Sequence, residues 1–415
     1  MRRLDVYYND TKAGTLTEIN PGAGYIFKYE PEYISSDLPP ISVTLPKRED
    51  TFDSDSLFPF FANMIPEGAN RGAICQTLRI DDKDFSGFCR LWLTRISLAL
   101  LTLEHQVMIE IKNCPSSLQE GFDTYSPKAS KLLFGANKIS PILDFNIDEF
   151  RNIGEIVEAM HRISVSGVQE KFPAIIDNGK IRFVQDGERA THILKPALWD
   201  KTLRDRKQIP ANEHLTIQIA SQVYGIKTAA NGLCFTHDGQ AVYVTRRFDI
   251  LPDGNKMPIE DFASLVGKNE QVSGTQFKYN GSYGDIAKAI RSNVAAWMVD
   301  MERFFTLVVF NYIYANGDAH LKNFSLILEG QDYRLAPAYD LLNTRLHTDG
   351  DGLGLDGGMS PDIEKSDVFD RTGHQCRLDF ERFATKIGIV SKRVNRILDR
   401  FMILPDEGRQ LIDRS

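Results

Sequence analysis

The segment NGDAHLKNF places a carboxylate, an imidazole, an ammonium and an amide in one short stretch, at Asp318, His320, Lys322 and Asn323. A further carboxylate, Asp340, follows in LAPAYDLLN. In phosphoryl transfer one carboxylate orients or deprotonates the attacking hydroxyl, while an amide and a second carboxylate hold Mg²⁺ on the nucleotide phosphates. These residue types can fill those roles. The same letters also suit a helix cap followed by a polar turn, and this stretch alone leaves both interpretations open.

Asp318 and Asn323 have the D-x-x-x-x-N spacing of the protein-kinase catalytic loop, although the HRD and DFG letters are absent. A kinase also needs a lysine on a strand of its first lobe, because an ammonium beside the triphosphate offsets its charge. Lys195 in THILKPA is the candidate, and Glu213 in NEHLTIQIA follows on a predicted helix where it could pair with the lysine. A single lysine on a strand is more often an exposed edge residue.

The segment SVSGVQEK, residues 164–171, lies between a predicted helix and a predicted strand. Its two hydroxyls, glycine, glutamine and lysine stand at a turn where backbone N–H groups could cradle a phosphate. With one glycine, it matches neither the Walker pattern nor G-x-G-x-x-G. By composition alone, an ordinary polar turn is the simpler interpretation.

The composition describes a globular protein of two to three domains. The chain has 415 residues, of which 42% are hydrophobic and 25% charged. A net charge of -7 argues against a surface that binds nucleic acid throughout, although a local basic patch remains compatible with it. The five cysteines form no CxxC pair, so neither a zinc ribbon nor a disulfide framework is indicated. The N-terminus lacks the apolar region of a secretory signal, and we expect a cytoplasmic protein.

The predicted elements suggest a β-rich start followed by mixed and then helical material. LDVYYN, AGTLTEI and AGYIFKYE are predicted strands, and LFPFFANMIPEGANRGAICQTL has helical spacing on either side of Pro66 and Gly68. NIDEFRNIGEIVEAMHR is a predicted helix with Asn146 as a plausible N-cap. The following strands pair through Asn178-Gly179 and Asp238-Gly239 turns, with a helix between them, which is α+β rather than alternating α/β.

Helical patterns dominate from residue 284 onward, and a small β-rich lobe followed by a larger helical lobe is the layout of a cleft enzyme. The long apolar helix 301–315 is predicted to end at Gly317, which places NGDAHLKNF on a loop. FSLIL and YRLAP are the strand-like segments between this loop and Asp340.

Taken in order, these motifs resemble the HipA family of serine/threonine kinase toxins. The resemblance rests on RISVSGVQEKFPAII, THILKP, NEHLTIQIA, VTRRFD, NGDAHLKNFSLI and RLAPAYDLLNT. The N-terminal VYYNDTKAGTL, FKYE, ISVTLP and FFANMIPEGANR are similar to that family's N-terminal subdomain, so the likeness covers nearly the whole chain. It implies a two-lobed, protein-kinase-like α+β fold.

The resemblance also implies roles for individual residues. Asp318 would be the catalytic base, Asn323 and Asp340 would hold Mg²⁺, and Lys322 could neutralise the transferring phosphoryl group. The implied nucleotide-binding residues are Ser166, Gly167, Val168, Gln169, Glu170, Lys171, Lys195, Arg246, Arg247, Phe248, His320, Lys322, Asn323, Tyr339 and Asp340.

The serines of the loop carry a further implication. Ser164 matches the family's autophosphorylated serine, and Ser166 gives the Ser-x-Ser pattern of the shorter HipT branch. A phosphate on this loop would occupy the N–H groups that nucleotide phosphates need, so the modified chain is expected to bind ATP poorly.

The chain departs from the family pattern over residues 85–115, where FSGFCRLWLTRISLALLTLEHQVMIEIKN replaces a GxDxxGA-like segment. Met108 stands where a separate kinase-only chain could begin. We therefore divide the chain into an N-terminal subdomain (1–107), a kinase small lobe (108–250) and a helical catalytic lobe (251–415).

The resemblance implies a Ser/Thr protein kinase that uses ATP and Mg²⁺, acts as a toxin and is held in check by a helix-turn-helix antitoxin. Its protein substrate would be an aminoacyl-tRNA synthetase or another protein, with DNA reached only through the antitoxin. TKIGIVSKRVNRILDR is basic on one helical face, which is either a solvated surface or a contact with such a partner. There are two alternatives: a non-catalytic scaffold that binds a nucleotide, and a kinase that acts on small molecules or lipids.

Overall fold

The computed structural model describes residues 1–9, 11–65, 131, 133–134, 140–146, 171–185, 188–197, 203–251, 254–349 and 352–403. Three predicted features lie outside these residues: the helix that follows Asn146, the junction over 85–112 with Met108, and the loop residues 164–170. Within the described ranges, no helix combines the length and apolarity needed to cross a bilayer.

An antiparallel four-stranded sheet forms the N-terminal unit, and its strands follow the chain in spatial order. Aromatic side chains that alternate along the strands, such as Phe27 and Tyr29, bury one face, and Tyr33 from the helix that follows completes this core. The three predicted strands are confirmed, and a short fourth one joins them. The elements are β1 (Arg2–Tyr8), β2 (Thr11–Asn20), β3 (Ala23–Tyr29), α1 (Pro31–Ser35), β4 (Phe52–Ser54) and α2 (Pro59–Asn63).

In the described part of the small lobe, a five-stranded antiparallel sheet has the order β6-β5-β7-β9-β8, and a helix is inserted between β7 and β8. Asn178 and Gly179 both adopt positive φ, at 47° and 78°, as the predicted two-residue hairpin requires. Both predicted hairpins are confirmed. The elements are β5 (Phe172–Asp177), β6 (Lys180–Phe183), β7 (His192–Lys195), α3 (Ile209–Gln222), β8 (Asn231–Phe235) and β9 (Ala241–Arg246).

The helical lobe buries the largest core, in which the apolar α7 is central and α3 of the small lobe takes part. A capping box between Ser282 and Asp285 begins α6. The elements are β10 (Ile259–Asp261), α4 (Phe262–Leu265), α5 (Glu270–Ser273), α6 (Tyr283–Asn293), α7 (Trp297–Ile313), β11 (Ser325–Glu329), β12 (Asp332–Leu335), α8 (Asp367–Thr372), α9 (Arg377–Lys386) and α10 (Ser391–Ile403).

Two sequence-based boundaries differ from the structure. Helix α7 ends at Ile313 rather than near Gly317, because Ala315 turns into the left-handed region at φ 50°. The basic C-terminal stretch is two helices rather than one continuous face, since Gly388 adopts φ 89° between α9 and α10. Part of its charge is paired within the lobe, for example in the 2.7 Å ion pair between Arg393 and Glu302.

A buried carboxylate, Glu260 at the start of the helical lobe, joins the N-terminal unit to that lobe. It accepts hydrogen bonds from the Ser42 hydroxyl at 2.9 and 3.0 Å, from the Val43 N–H at 2.8 Å and from the Ser264 hydroxyl at 2.6 Å. Burial raises the pKa of Glu260 to about 7, against the effect of these donors. The ionisation of this carboxyl is therefore linked to the stability of the joint.

We expect Glu260 to contribute a loss of stability between pH 6 and pH 8, an interval in which buried histidines of lowered pKa, such as His320, contribute a gain. A carboxyl whose folded-state pKa is raised stabilises the fold while protonated, and this contribution is lost as the pH rises through about 7. The loss over this interval is on the order of 1 kcal/mol. Chemical denaturation at the two pH values should show it as the difference in pH dependence between the wild type and Glu260→Gln, because the histidines contribute equally to both proteins. Equal pH dependence in both proteins would show that Glu260 is not the titrating group.

Candidate active site

A cleft of about 370 Å³ opens between the small lobe, the helical lobe and the end of α2. Apolar side chains line part of it, among them Ile193, Ala229 and Leu342. Charged groups from both lobes line the rest. All eleven predicted site residues within the described ranges line this cleft, namely Lys171, Lys195, Arg246, Arg247, Phe248, Asp318, His320, Lys322, Asn323, Tyr339 and Asp340.

Lys195 connects three elements inside the cleft. It is the last residue of β7, which lies between β5 and β9 rather than at a sheet edge, and its side chain is 3% exposed. Its Nζ donates to Glu213 Oε1 on α3 at 2.5 Å and also to Asp340 Oδ1. Burial lowers the pKa of Lys195, but Asp340 and Glu213 outweigh that effect and raise it, so the lysine is charged.

Asp340 receives a second ammonium, because Lys171 Nζ lies 3.1 Å from its Oδ2. Burial favours the neutral acid, yet Lys171 and Lys195 together hold the pKa of Asp340 well below its ordinary value. Asp340 also adopts φ 54°, a conformation that costs a non-glycine residue about 1–3 kcal/mol and is concentrated at functional sites. The turn after β12 therefore aims this carboxylate at the two lysines.

The loop that carries Asp318 is held by contacts on several sides. Asn316 donates to Asn311 Oδ1 at 3.1 Å, and the Gly317 N–H donates to the Thr344 hydroxyl at 3.0 Å. The hydroxyl of Tyr339 donates to the Lys322 carbonyl at 2.8 Å. A Cβ at Gly354 would lie 2.6 Å from the Ala319 nitrogen, so only glycine permits this approach. The loop after α7 is thus built for a fixed shape.

Asp318 lies toward the open side of the cleft and accepts a hydrogen bond from the Tyr279 hydroxyl at 2.6 Å. Partial burial raises the pKa of its carboxyl above the ordinary value, while the Tyr279 hydroxyl and Lys278 act in the opposite direction. A carboxylate with a raised pKa that remains accessible is suited to take a proton from a bound hydroxyl.

His320 and Asn323 lie deeper in the cleft, each with a buried polar atom lacking a hydrogen-bond partner within the described residues. These atoms are His320 Nδ1 and Asn323 Oδ1. Burial holds the pKa of His320 well below its ordinary value, so the imidazole is neutral. A buried acceptor left unsatisfied costs about 1–3 kcal/mol. Asn323 Oδ1 is therefore suited to receive a donor or a cation.

Lys322 is engaged by the N-terminal unit in this structure. Its Nζ donates to the carbonyl and to the side-chain Oδ1 of Asn63, both at 3.1 Å, and lies 3.9 Å from Asp261. Asn63 in turn donates to the Lys268 carbonyl at 2.8 Å. The end of α2 thus contacts the side chain that the sequence assigned to the transferring phosphoryl group.

The segment that follows β9 lines the opposite wall. Arg247 pairs with Asp249 through hydrogen bonds of 3.0 and 2.6 Å, and the Arg247 N–H donates to the Thr191 carbonyl. The Phe248 ring lies 5.9 Å from the ring of Tyr339, at an angle of 34°. An aromatic wall of this kind suits a flat heterocycle, which is compatible with the nucleotide-binding role that the resemblance implies for Phe248 and Tyr339.

Two contacts of the site were missed by sequence reasoning. Tyr279, which hydrogen-bonds Asp318, and Asn63, which holds Lys322, lie far from the loop along the chain. Tyr279 belongs to no motif, and Asn63 lies in the FFANMIPEGANR segment, for which no contact with the loop was predicted. No local pattern predicts either contact, because the contacts arise from packing between distant segments. The remaining predicted residues, Ser164, Ser166, Gly167, Val168, Gln169 and Glu170, lie outside the described ranges.

Two protein-family models match this chain. The model of the HipA-like C-terminal domain matches residues 163–404, and that of the HipA N-terminal domain matches residues 4–94. "Putative kinase Y4mE" of Sinorhizobium fredii is 26% identical over 366 residues, which is 84% of this chain and 79% of that protein. "Putative kinase Y4dM" of the same organism is 27% identical, over 84% of this chain and 78% of that protein.

The solved complex of the Shewanella oneidensis MR-1 toxin-antitoxin proteins HipA and HipB with operator DNA contains a chain of similar fold. The TM-score is 0.58 at 17% identity, covering 99% of this chain and 96% of that one. This likeness and the described elements confirm the predicted two-lobed, kinase-like α+β fold. The model of the C-terminal domain matches more than half of this chain. The chain therefore belongs to the HipA family.

Proposed function

We propose that this protein is a serine/threonine protein kinase that transfers the γ-phosphoryl group of ATP, with Mg²⁺, to a protein hydroxyl. One observation carries the proposal: Lys195, Glu213 and Asp340 form a connected charge cluster in the cleft that also exposes Asp318. A protein that only bound a nucleotide would need no accessible carboxylate with a raised pKa beside that cluster.

Each group has a distinct task in the proposed reaction. Lys195, fixed by Glu213, contacts the nucleotide phosphates and balances their charge, and Lys171 adds a second cation. Asp318 orients the acceptor hydroxyl and takes its proton as that oxygen bonds to the γ-phosphorus and the bond to ADP breaks. Arg246 to Phe248 and Tyr339 would form the wall beside the adenine.

The residues present fit a nucleotide-bound magnesium ion. Within the described ranges no three His, Cys, Asp or Glu side chains form a metal cluster, and magnesium on phosphates needs only one or two protein ligands. Asn323 Oδ1 is a buried acceptor without a hydrogen-bond partner among the described residues, and a carboxylate such as Asp340 keeps acceptor sites beyond those used by the two lysines. When bound, Mg²⁺ would neutralise phosphate charge during transfer.

Autophosphorylation on the loop over residues 164–171 is part of the proposal. It rests on the Ser-x-Ser pattern at Ser164 and Ser166 and on Lys171, the last residue of the loop, whose ammonium lies against Asp340. The phosphorylated loop would compete with nucleotide phosphates for the same donors and so limit the enzyme's own activity.

The proposed biological role rests on family membership. The similar Shewanella oneidensis protein is described with its partner HipB and operator DNA, which supports a toxin role and a helix-turn-helix antitoxin partner for this chain. DNA would then be reached only through the antitoxin. An aminoacyl-tRNA synthetase or another protein would be the substrate.

Incubation with ATP and Mg²⁺, followed by mass spectrometry, tests the proposal directly. In the wild type we expect release of ADP and phosphate on Ser164 or Ser166. In Ser164→Ala/Ser166→Ala we expect no phosphate at either position. That double variant should keep transfer to a supplied protein acceptor, because it retains Lys195, Asp318 and Asp340. Nucleotide binding without transfer in any variant would favour a scaffold, and label only on a small molecule or lipid would favour a different kinase class.

A further inference from the structure

Few contacts fix the orientation of the Asp318 side chain, although the backbone of its loop is held. It lies on the loop after α7, and its carboxylate is not anchored by a helix or a strand. Within the described residues, the hydrogen bond from Tyr279 Oη to Asp318 Oδ1, at 2.6 Å, is the one that its side chain accepts. The rotamer of the proposed base therefore depends on a residue from a different segment.

Tyr279 is itself firmly held. Its N–H donates to the Gln276 carbonyl at 3.0 Å, and its carbonyl accepts from the Asp356 and Gly281 N–H groups, both at 3.0 Å. Its ring meets the His320 ring edge to face, with centroids 5.2 Å apart and planes at 82°. Because both the backbone and the ring of Tyr279 are held, we expect its hydroxyl to stay in place when a ligand binds.

The geometry points to Tyr279 as a positioning residue for phosphoryl transfer: its hydroxyl fixes Oδ1 of Asp318 and leaves Oδ2 directed at the acceptor hydroxyl. This inference rests on the proposed function, since it assigns a task to the residue that holds the proposed base. Tyr279 is not itself a catalytic residue, because it acts through Asp318.

The hydrogen bond has a second effect, on the acidity of Asp318. A donor to the ionised carboxylate favours that form, so the Tyr279 hydroxyl lowers the pKa that partial burial raises. The other groups around the carboxylate come from several segments. They are Lys278 beside Tyr279, Lys171 and Asp340 across the cleft, Tyr283 on α6, and the neutral His320 on the same loop.

Tyr279→Phe removes the hydroxyl and keeps the ring against His320. We expect kcat for phosphoryl transfer to fall about 10-fold to 100-fold, the range for loss of a hydrogen bond to a charged group. KM for ATP should stay unchanged, because Lys195 and Asp340 are intact. The acid limb of the pH-rate profile should move to higher pH, since the base loses a donor that stabilised its ionised form.

Tyr312→Phe is the matched control, because it removes a tyrosine hydroxyl that donates to the Gln375 carbonyl at 3.1 Å, outside the cleft. It should match the wild type in kcat and in pH profile. If Tyr279→Phe behaves like this control, the inference is overturned and the proposed function stands. A lower kcat with an unmoved acid limb would also overturn it, because a merely structural role predicts that result. A wild type that transfers no phosphate would overturn both.

Discussion

Replacing Asp318 by Asn is expected to lower the rate of phosphoryl transfer by about 10²-fold to 10⁴-fold, the usual contribution of a positioned general base. The amide keeps the size of the side chain and can still meet the Tyr279 hydroxyl, but it cannot take a proton. ATP binding, measured by calorimetry, should change little, because Lys195, Lys171 and Asp340 are untouched. The loss should therefore fall on kcat rather than on the KM for ATP.

Asp370→Asn provides the matched control, since it makes the same chemical change at an exposed position on α8. It should leave the rate unchanged. The wild-type pH-rate profile should also fall on the acid side at a pH above the ordinary carboxyl range, because the pKa of Asp318 is raised. A variant at Asp318 with near-normal kcat would exclude this residue as the base.

Replacing Lys195 by Met is expected to damage both activity and stability. Lys195 and Glu213 are each 3% exposed, and removal of the ammonium leaves the Glu213 carboxylate buried without its partner. Loss of one partner from a buried pair costs about 3–5 kcal/mol, which thermal or chemical unfolding should register. Transfer should fall at least about 100-fold, because the phosphates lose a preorganised cation.

The double variant Lys195→Met/Glu213→Gln separates the two effects. It removes the stranded carboxylate, so part of the lost stability should return while activity stays low. If the single variant were as stable as the wild type, Glu213 would not depend on Lys195. If the double variant regained activity, Lys195 would have no role at the phosphates.

The sequence was sufficient to predict the helices and strands that have strong local signals. It also indicated the order in which the segments of the site follow one another along the chain. The Asn178-Gly179 hairpin is an example, because two adjacent residues that accept positive φ specify a turn without help from the rest of the chain. Helix α7 shows the limit of such reasoning. Its apolar pattern continues past Ile313, while the end is set by the left-handed turn at Ala315, which packing of the following loop requires.

Contacts between distant segments lay beyond the sequence patterns. A lysine on a predicted strand has no mark of burial, yet Lys195 lies on a central strand with two carboxylates around it. Lys322 fits the catalytic-loop pattern, but its partner Asn63 comes from the N-terminal unit, and no periodicity joins the two. The strained φ of Asp340 is likewise a property of the assembled cleft.

The central claim is that the cleft holds a triphosphate between Lys195 and Asp340 on one side and Asp318 on the other. The most direct measurement is a structure of the protein with a non-hydrolysable ATP analogue and Mg²⁺. We expect phosphates in contact with Lys195, a metal bound by Asn323 and Asp340, and the γ-phosphate facing Asp318. A nucleotide bound elsewhere, or one whose γ-phosphate points away from Asp318, would contradict it.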